Sequence, residues 1–134
     1  MERIVFTNGC FDLLHKGHLY ILKEASKLGR LIVGLNSDSS VRRLKGENRP
    51  YQDQITRKRA LDALDFVEKV IIFYDSTPLE IIKVIKPDII VKGGDYRSED
   101  VVGYDLVDEV IIVPLLPGYS TTNILNGWSD KNVY

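Results

Sequence analysis

The sequence predicts an α/β fold in which a five-stranded parallel sheet is covered by helices on both faces. Five short apolar segments rich in β-branched residues recur along the chain, as expected of strands buried on both sides. Segments with the apolar spacing of amphipathic helices lie between them. Strands that alternate with helices in this way form parallel sheets through right-handed crossovers.

The five predicted strands are short and nearly unbroken in hydrophobicity. They cover residues 3–7, 31–35, 69–73, 87–91 and 109–113.

Three helices are predicted between these strands. The apolar face of the first is formed by Leu19, Ile21, Leu22, Ala25 and Leu28. Gly29 follows that face and is typical of a helix C-terminus. The face of the second is formed by Leu61, Leu64 and Val67. The third begins after Thr77, with Pro78 at its first position, and ends before Pro87.

Length and composition indicate one ordinary globular domain over residues 1–134, with 44% hydrophobic and 28% charged residues. The net charge of −1 argues against nucleic acid or an anionic membrane as partner. No apolar segment approaches the roughly 20 residues of a membrane-spanning helix, and we expect no signal peptide. The single cysteine, Cys10, fits a reducing compartment, so we expect a cytoplasmic protein.

Unusual polar residues collect after the ends of four predicted strands. Ligands of open parallel sheets bind beyond the carboxyl ends of the strands, so these segments predict an active site at one edge. They are residues 8–12 with the two histidines that follow, 36–38, 92–96 and 117–122.

His15 and His18 lie three residues apart across Gly17, where the first helix begins. Free backbone N–H groups and the helix dipole favour an anion at that position. The pattern predicts charge stabilisation on a transferring phosphoryl group. A capping histidine beside a surface histidine is an alternative interpretation. Zinc is disfavoured because no cysteine pair or third histidine completes a tetrahedral set, so we predict no protein-bound metal.

Two further segments have the character of anion sites. Lys92 with Gly93 and Gly94 resembles a phosphate-cradling loop that carries a cation. Residues 120–122 supply hydroxyls and free N–H groups at a helix start, although an ordinary N-cap has the same appearance.

Basic residues form two groups in the middle of the chain. Arg42, Arg43, Lys45 and Arg49 surround a polar segment, residues 45–54, that we predict to be a mobile loop. Arg57 and its basic neighbours open the next helix, an unfavourable place for cations unless an anion lies nearby.

Residues 6–18 resemble the signature of the cytidylyltransferase-like nucleotidyltransferase superfamily, whose fold is a Rossmann-like sheet carrying a His-x-Gly-His turn. Other segments are similar to the adenylyltransferase domain of bacterial ADP-heptose synthases. They are residues 34–38, 40–46, 49–50, 91–96 and 118–124. The resemblance extends over residues 1–126 and leaves 127–134 as a tail.

The resemblance implies an enzyme that condenses a sugar 1-phosphate with a nucleoside triphosphate and releases pyrophosphate. For the heptose enzymes the substrates are D-glycero-D-manno-heptose 1-phosphate and ATP, and the product is an ADP-sugar. His15 and His18 would stabilise the α-phosphate, and Lys45 would close over the phosphates. Nucleotide-binding positions by this similarity are Thr7, Asn8, Gly9, Phe11, Arg57, Lys92, Gly94, Asp95, Ser120, Thr121 and Thr122.

The resemblance also implies Mg²⁺ carried by the nucleotide with few protein ligands, and a homodimer. Many members contain a fused sugar kinase that this sequence lacks, so a separate kinase is expected to supply the sugar 1-phosphate. Two connections depart from the family pattern, at Gly29-Arg30 and at residues 107–109. Both lie away from the predicted site.

Two other functions stay open. A cytidylyltransferase would use CTP with glycerol 3-phosphate or a similar small phosphate. Those enzymes carry an arginine shortly before the hydroxyl motif, where this sequence has residues 115–118 without one. A catalytically silent nucleotide-binding regulatory domain is disfavoured because both histidines and Lys45 are retained.

Overall fold

The structure is a computed structural model, and it describes residues 2–114. Strands and helices alternate along this part of the chain. The elements are β1 (Ile4–Gly9), α1 (Lys16–Ser26), β2 (Arg30–Asn36), α2 (Asp38–Lys45), α3 (Gln54–Asp62), β3 (Lys69–Phe73), α4 (Leu79–Ile85), β4 (Ile89–Gly93) and β5 (Glu109–Val113), with short 3₁₀ turns at Ser98–Asp100 and Tyr104–Leu106. None of the helices in this part of the chain is long and apolar enough to cross a membrane.

The strands form one parallel sheet in the order β3-β2-β1-β4-β5. The predicted α/β fold with a five-stranded parallel sheet is therefore confirmed. The chain builds outward from β1 through β2 to β3 and then crosses back to add β4 on the other side of β1. Because the winding direction reverses there, a crevice opens at the carboxyl ends of β1 and β4.

Each face of the sheet carries its own apolar core. Val5 and Val33 pack on one face with Leu22 of α1 and Leu61 of α3. Phe6 and Ile90, which alternate with residues of the first face, pack on the other side with Ile82 of α4. Burial on both faces explains why the strands are almost unbroken in hydrophobicity.

Two glycines allow close approach between neighbouring segments. A Cβ at Gly34 would lie 2.7 Å from Cζ of Phe6, so its absence lets that ring lie against β2. A Cβ at Gly29 would lie 2.2 Å from the carbonyl oxygen of Arg3. The prediction that Gly29 caps α1 is wrong, since the helix ends at Ser26 and Lys27 is its cap. Gly29 is needed for contact with the start of β1.

Helix boundaries differ from the prediction in three places. The second predicted helix reached Val67, whereas α3 ends at Asp62 and Val67 is a buried residue of the following turn. Helix α2 was not predicted, because its sequence is polar and its only buried apolar residue is Val41. Lys45 is accordingly the last residue of a helix, and Gly46–Asp53 is the connection to α3. Helix α4 begins at Leu79, one residue later than predicted, so that Pro78 is its N-cap and not its first residue. Mobility of the connection stays a prediction.

Candidate active site

A cavity of about 150 Å³ lies in the crevice at the carboxyl ends of β1 and β4. The predicted site residues in its wall are Thr7, Asn8, Gly9, Phe11, His18, Lys45 and Lys92. A second cavity of about 420 Å³ shares Asn8, Lys45 and Lys92 with it and extends to Pro78 and Tyr96. The two cavities form a continuous cleft across the point where the sheet changes its winding direction.

The turn from β1 to α1 has a strained backbone. Phe11 and Leu13 have φ angles of 48° and 55°, in the left-handed region that non-glycine residues seldom adopt. Each such residue costs on the order of 1–3 kcal/mol, and strain of this kind is concentrated at functional sites. The Phe11 ring packs over the preceding strand end, where a Cβ on Gly9 would lie 3.1 Å from it. The close approach explains the glycine.

The two histidines form a reciprocal cap at the start of α1. His15 is the N-cap, and its Nδ1 accepts a hydrogen bond from the Gly17 amide at 3.1 Å. Nδ1 of His18 accepts from the His15 amide at 3.2 Å. The rings stack with centroids 3.8 Å apart, and the Phe11 ring meets His18 edge-on at 5.5 Å. The predicted capping role of a histidine and its predicted place at the site therefore coexist in one structure.

This hydrogen-bond pattern assigns the tautomer of both imidazoles. A Nδ1 that accepts an amide N–H carries no proton, so the proton of the neutral ring is on Nε2. Burial, with the charges of His15 and Lys45, lowers the pKa of His18 to about 3. Burial also lowers the pKa of His15. Both rings are therefore neutral at pH 7, and each offers Nε2–H as a hydrogen-bond donor.

The structure separates the two histidines by exposure. His18 lines the cavity. His15 is 3% exposed, does not line the described cavities and stacks behind its partner. Its contact with an α-phosphate stays a prediction.

Lysines supply the positive charge of the cleft. Lys45 is exposed at the end of α2, and within residues 2–114 it makes no hydrogen bond or ion pair with the protein. Lys92, at the end of β4, lies 5.3 Å from the Tyr96 ring centroid, and burial lowers its pKa. Both side chains are available to an anionic ligand.

Arg57 is buried beside two residues that line the cleft, Cys10 and Asn36. Its side chain is 0% exposed. Its guanidinium donates to the carbonyl oxygens of Cys10, Asn36 and Gln52 and to the Asp38 carboxylate, at 2.8–2.9 Å. The whole guanidinium is buried in this structure, and its contact with a nucleotide stays a prediction. Arg57 ties together the ends of β1 and β2 and the connection before α3.

The remaining predicted site residues do not line the described cavities or lie outside residues 2–114. Gly94 has a φ of 123° and donates its amide to the Val113 carbonyl, and neither it nor the exposed Asp95 lines the described cavities. Ser120, Thr121 and Thr122 lie outside the described residues. Within residues 2–114, no group of three or more acidic, histidine or cysteine side chains is placed to hold a metal.

Four described residues of the cavity wall were given no individual site role from the sequence: Ile21, Gly93, Cys10 and Asp12. Cys10 and Asp12 carry chemistry that the site could use. Burial raises the pKa of the Cys10 thiol, although Lys45 and Arg57 oppose that shift. Asp12 is 2% exposed and binds two amides of the connection after α2. Both belong to the histidine signature itself, which was the only signal available to find them.

Comparisons with known proteins identify the family of this chain. The family model described as cytidylyltransferase-like matches residues 6–126. A "Bifunctional protein HldE" from Campylobacter fetus is 55% identical over 126 residues, and one from Nitratiruptor is 54% identical over 125 residues. These matches cover 93% and 92% of this chain. The chain spans only 28% and 27% of the length of those two relatives.

Solved structures share the fold. A lipopolysaccharide core biosynthesis protein from Thermoplasma volcanium aligns with a TM-score of 0.75 at 26% identity, over 87% of this chain and 99% of that one. A pantothenate synthetase from Thermus thermophilus aligns with a TM-score of 0.65 over 97% of this chain and 63% of that one. At 16% identity, the second match shows the fold alone. The family match and the two relatives are decisive: this chain belongs to the cytidylyltransferase-like nucleotidyltransferases.

Proposed function

We propose that the chain transfers the adenylyl group of ATP to a sugar 1-phosphate, releasing pyrophosphate and forming an ADP-sugar. The observation that carries this proposal is the donor set of the cleft. Neutral His18 lines one cavity together with the strained turn after β1 and the cations Lys45 and Lys92. Such a site offers hydrogen-bond donors and positive charge to a phosphate chain, which are the groups that stabilise phosphoryl transfer.

The proposed reaction is a single displacement at the α-phosphorus. An oxygen of the sugar phosphate attacks that phosphorus, and the bond to the oxygen bridging to the β-phosphate breaks with its electrons going to pyrophosphate. Charge builds on the α-phosphate oxygens and the leaving group. His18 donates Nε2–H to that charge, and Lys45 of the same cavity wall neutralises the phosphates. His15 holds His18 in orientation through its amide and its stacked ring.

Mg²⁺ would enter with the triphosphate and supply further charge neutralisation. Among the described residues, Asp12 is the only carboxylate in the wall of the smaller cavity, and it already accepts hydrogen bonds from two backbone amides. This donor set fits a hydrated ion held chiefly by the nucleotide.

D-glycero-D-manno-heptose 1-phosphate is the acceptor we propose. The proposal draws on the similarity of residues 34–38, 40–46 and 91–96 to heptose 1-phosphate adenylyltransferase domains. The adjoining cavity of about 420 Å³, which shares Lys45 with the smaller one, offers room for the acceptor. A sugar kinase would form the sugar 1-phosphate in the cytoplasm, and we expect the enzyme to work as a homodimer.

The proposal is tested with ATP, CTP and GTP, each combined with heptose 1-phosphate, a hexose 1-phosphate and glycerol 3-phosphate. Pyrophosphate release is measured with and without Mg²⁺. We expect the highest kcat/KM for ATP with heptose 1-phosphate and no turnover without the metal. A preference for CTP with glycerol 3-phosphate would support the cytidylyltransferase alternative. Nucleotide binding without turnover of any pair would support a regulatory domain.

A further inference from the structure

We propose that Asp12 is a positioning residue for Lys45. It lies in the turn between β1 and α1 that leads into His15 and His18, called the histidine turn below. Asp12 binds the connection that follows Lys45 and so fixes Lys45 relative to the histidines. The proposal rests on the nucleotidyl transfer proposed above. It assigns a role to a buried carboxylate that the reaction itself does not use.

The contacts of Asp12 join two segments that are distant in sequence. Its Oδ2 accepts the Tyr51 amide at 2.8 Å, and its Oδ1 accepts the Gln52 amide at 3.0 Å. A third bond crosses the same junction, from the Leu13 amide to Oε1 of Gln52 at 3.2 Å. The turn that leads into His15 and the connection that leaves Lys45 are therefore bonded at adjacent residues.

Arg49 adds a charge to this junction. Its Nε lies 3.6 Å from Oδ2 of Asp12 and, within the described residues, is buried without a hydrogen-bond partner. The guanidinium also stacks 4.5 Å from the Tyr51 ring centroid. Asp12 is the only carboxylate within 4.0 Å of this guanidinium among the described residues, so the ion pair also joins Arg49 to the turn after β1.

The connection is short enough to transmit this anchoring to Lys45. The Arg49 amide donates to the Gly46 carbonyl at 3.1 Å, and Gly46 is the C-cap of the helix that ends with Lys45. Lys45 has no protein partner of its own among the described residues. Its ammonium position therefore depends on where α2 ends, and that end is tied to Asp12 through Gly46, Arg49 and the two amides.

The test is a double-mutant cycle between Asp12→Asn and Lys45→Ala. Asparagine keeps one oxygen acceptor but loses the charge and the second acceptor. We expect Asp12→Asn to lower kcat/KM on the order of 10-fold in the wild-type background. In the Lys45→Ala background the same change should cost about 2-fold or less, because the group that Asp12 positions is gone.

Asp53→Asn is the matched control. Asp53 also accepts a backbone amide, from Thr56 at 2.8 Å, and caps α3 in the same region without contacting the histidine turn. We expect a Tm close to that of the wild type, because Asn caps a helix about as well as Asp, and a change in kcat/KM below about 2-fold. Gln52→Ala is the second variant in case Asp12→Asn fails to fold. It removes the bond to Leu13, keeps the buried carboxylate, and should show a smaller loss that also disappears with Lys45→Ala.

The same cycle is measured on the dissociation constant of Mg·ATP, which requires no turnover. A wild-type protein that binds Mg·ATP but turns over no substrate pair contradicts the proposed function, and the binding cycle then decides the role of Asp12. Equal losses from Asp12→Asn or Gln52→Ala with and without Lys45 would overturn the positioning role. A loss matched by Asp53→Asn, or no Mg·ATP binding by the wild type, would overturn it as well.

Discussion

Arg57 and Lys45 approach the same cleft, and each was expected to contact the nucleotide. Arg57 is 0% exposed and its guanidinium is bonded to three carbonyls and a carboxylate. Lys45 is exposed and, among the described residues, has no protein partner. One cation is bonded within the protein, and the other is the one that we propose contacts the phosphates. Two positively charged residues near one cleft therefore differ in role, since Arg57 stabilises the protein and Lys45 is proposed to bind the phosphates.

The histidines differ from Lys45 in how firmly they are held. The Nδ1 acceptors of His15 and His18 are occupied by backbone amides. Donors fixed in this way need little reorganisation when charge develops, which is the basis of electrostatic preorganisation. In the proposed reaction, Lys45 provides charge that can follow a moving phosphate. The predictions below test whether this division holds, in order of expected effect.

Removing the buried cation should damage the fold. Arg57→Met leaves the Cys10 and Asn36 carbonyls and the Asp38 carboxylate without their donor. Loss of one partner of a buried ion pair costs about 3–5 kcal/mol in the free energy of unfolding. Urea denaturation measures this, with Arg59→Met on the exposed side of the same helix as control. Equal stability of the two variants would mean that Arg57 is not structural.

Removing the neutral donor should lower catalysis and preserve the fold. In His18→Asn the side-chain oxygen can still accept the His15 amide, but no donor reaches the position of Nε2. We expect kcat to fall about 10²-fold. His18→Gln, whose amide reaches nearer to the Nε2 position, should retain more activity. Near-normal kcat in His18→Asn would refute the donor role.

Removing the exposed lysine, Lys45, should lower catalysis without lowering the stability of the fold. Lys45→Ala is expected to lower kcat/KM on the order of 10-fold, because one charge no longer neutralises the phosphates. The Tm should stay within about 2 °C of wild type, since an exposed lysine without protein partners adds little stability. Lys83→Ala on α4 serves as the exposed control for both measurements. A large fall in Tm would place Lys45 in a structural network.

Acid should weaken the fold through the histidine turn. The pKa of His18 is lowered to about 3 in the folded chain, so the unfolded chain binds the proton first as the pH falls below about 6.5. Stability therefore declines on acidification, by about 1 kcal/mol between pH 7 and pH 5.5 from this group. Urea titrations at both pH values measure the difference. His18→Asn should show a smaller decline, and an equal decline would remove His18 as the cause.

The strands could be predicted from sequence because the pattern that marks each one lies within its own five to seven residues. Their predicted ends agree with the structure to within two residues. Buried parallel strands require apolar β-branched runs, and the chain has few such runs elsewhere. Helix α2 was missed for the converse reason. It is held by a Ser37 cap and by Asp38 bonded to Arg57, and apolar periodicity contains neither signal.

The site was predictable only in part. Histidine spacing and strand ends located the cleft, because the sheet topology brings those ends together. The burial of Arg57 was not predictable, since its acceptors come from Cys10 and Asn36, which are 47 and 21 positions away. The amide contacts of Asp12 also depend on a connection whose path is set by tertiary structure.

The central claim is that the histidines act as neutral donors and not as nucleophiles. In the tautomer set by their amide contacts, neither ring offers a free Nε2 lone pair. The most direct measurement is the stereochemical course at the α-phosphorus, with an ATP analogue carrying a chiral α-thiophosphate and heptose 1-phosphate as acceptor. Direct displacement predicts inversion of configuration in the ADP-sugar analogue. Retention would indicate a nucleotidylated enzyme intermediate and would contradict the account.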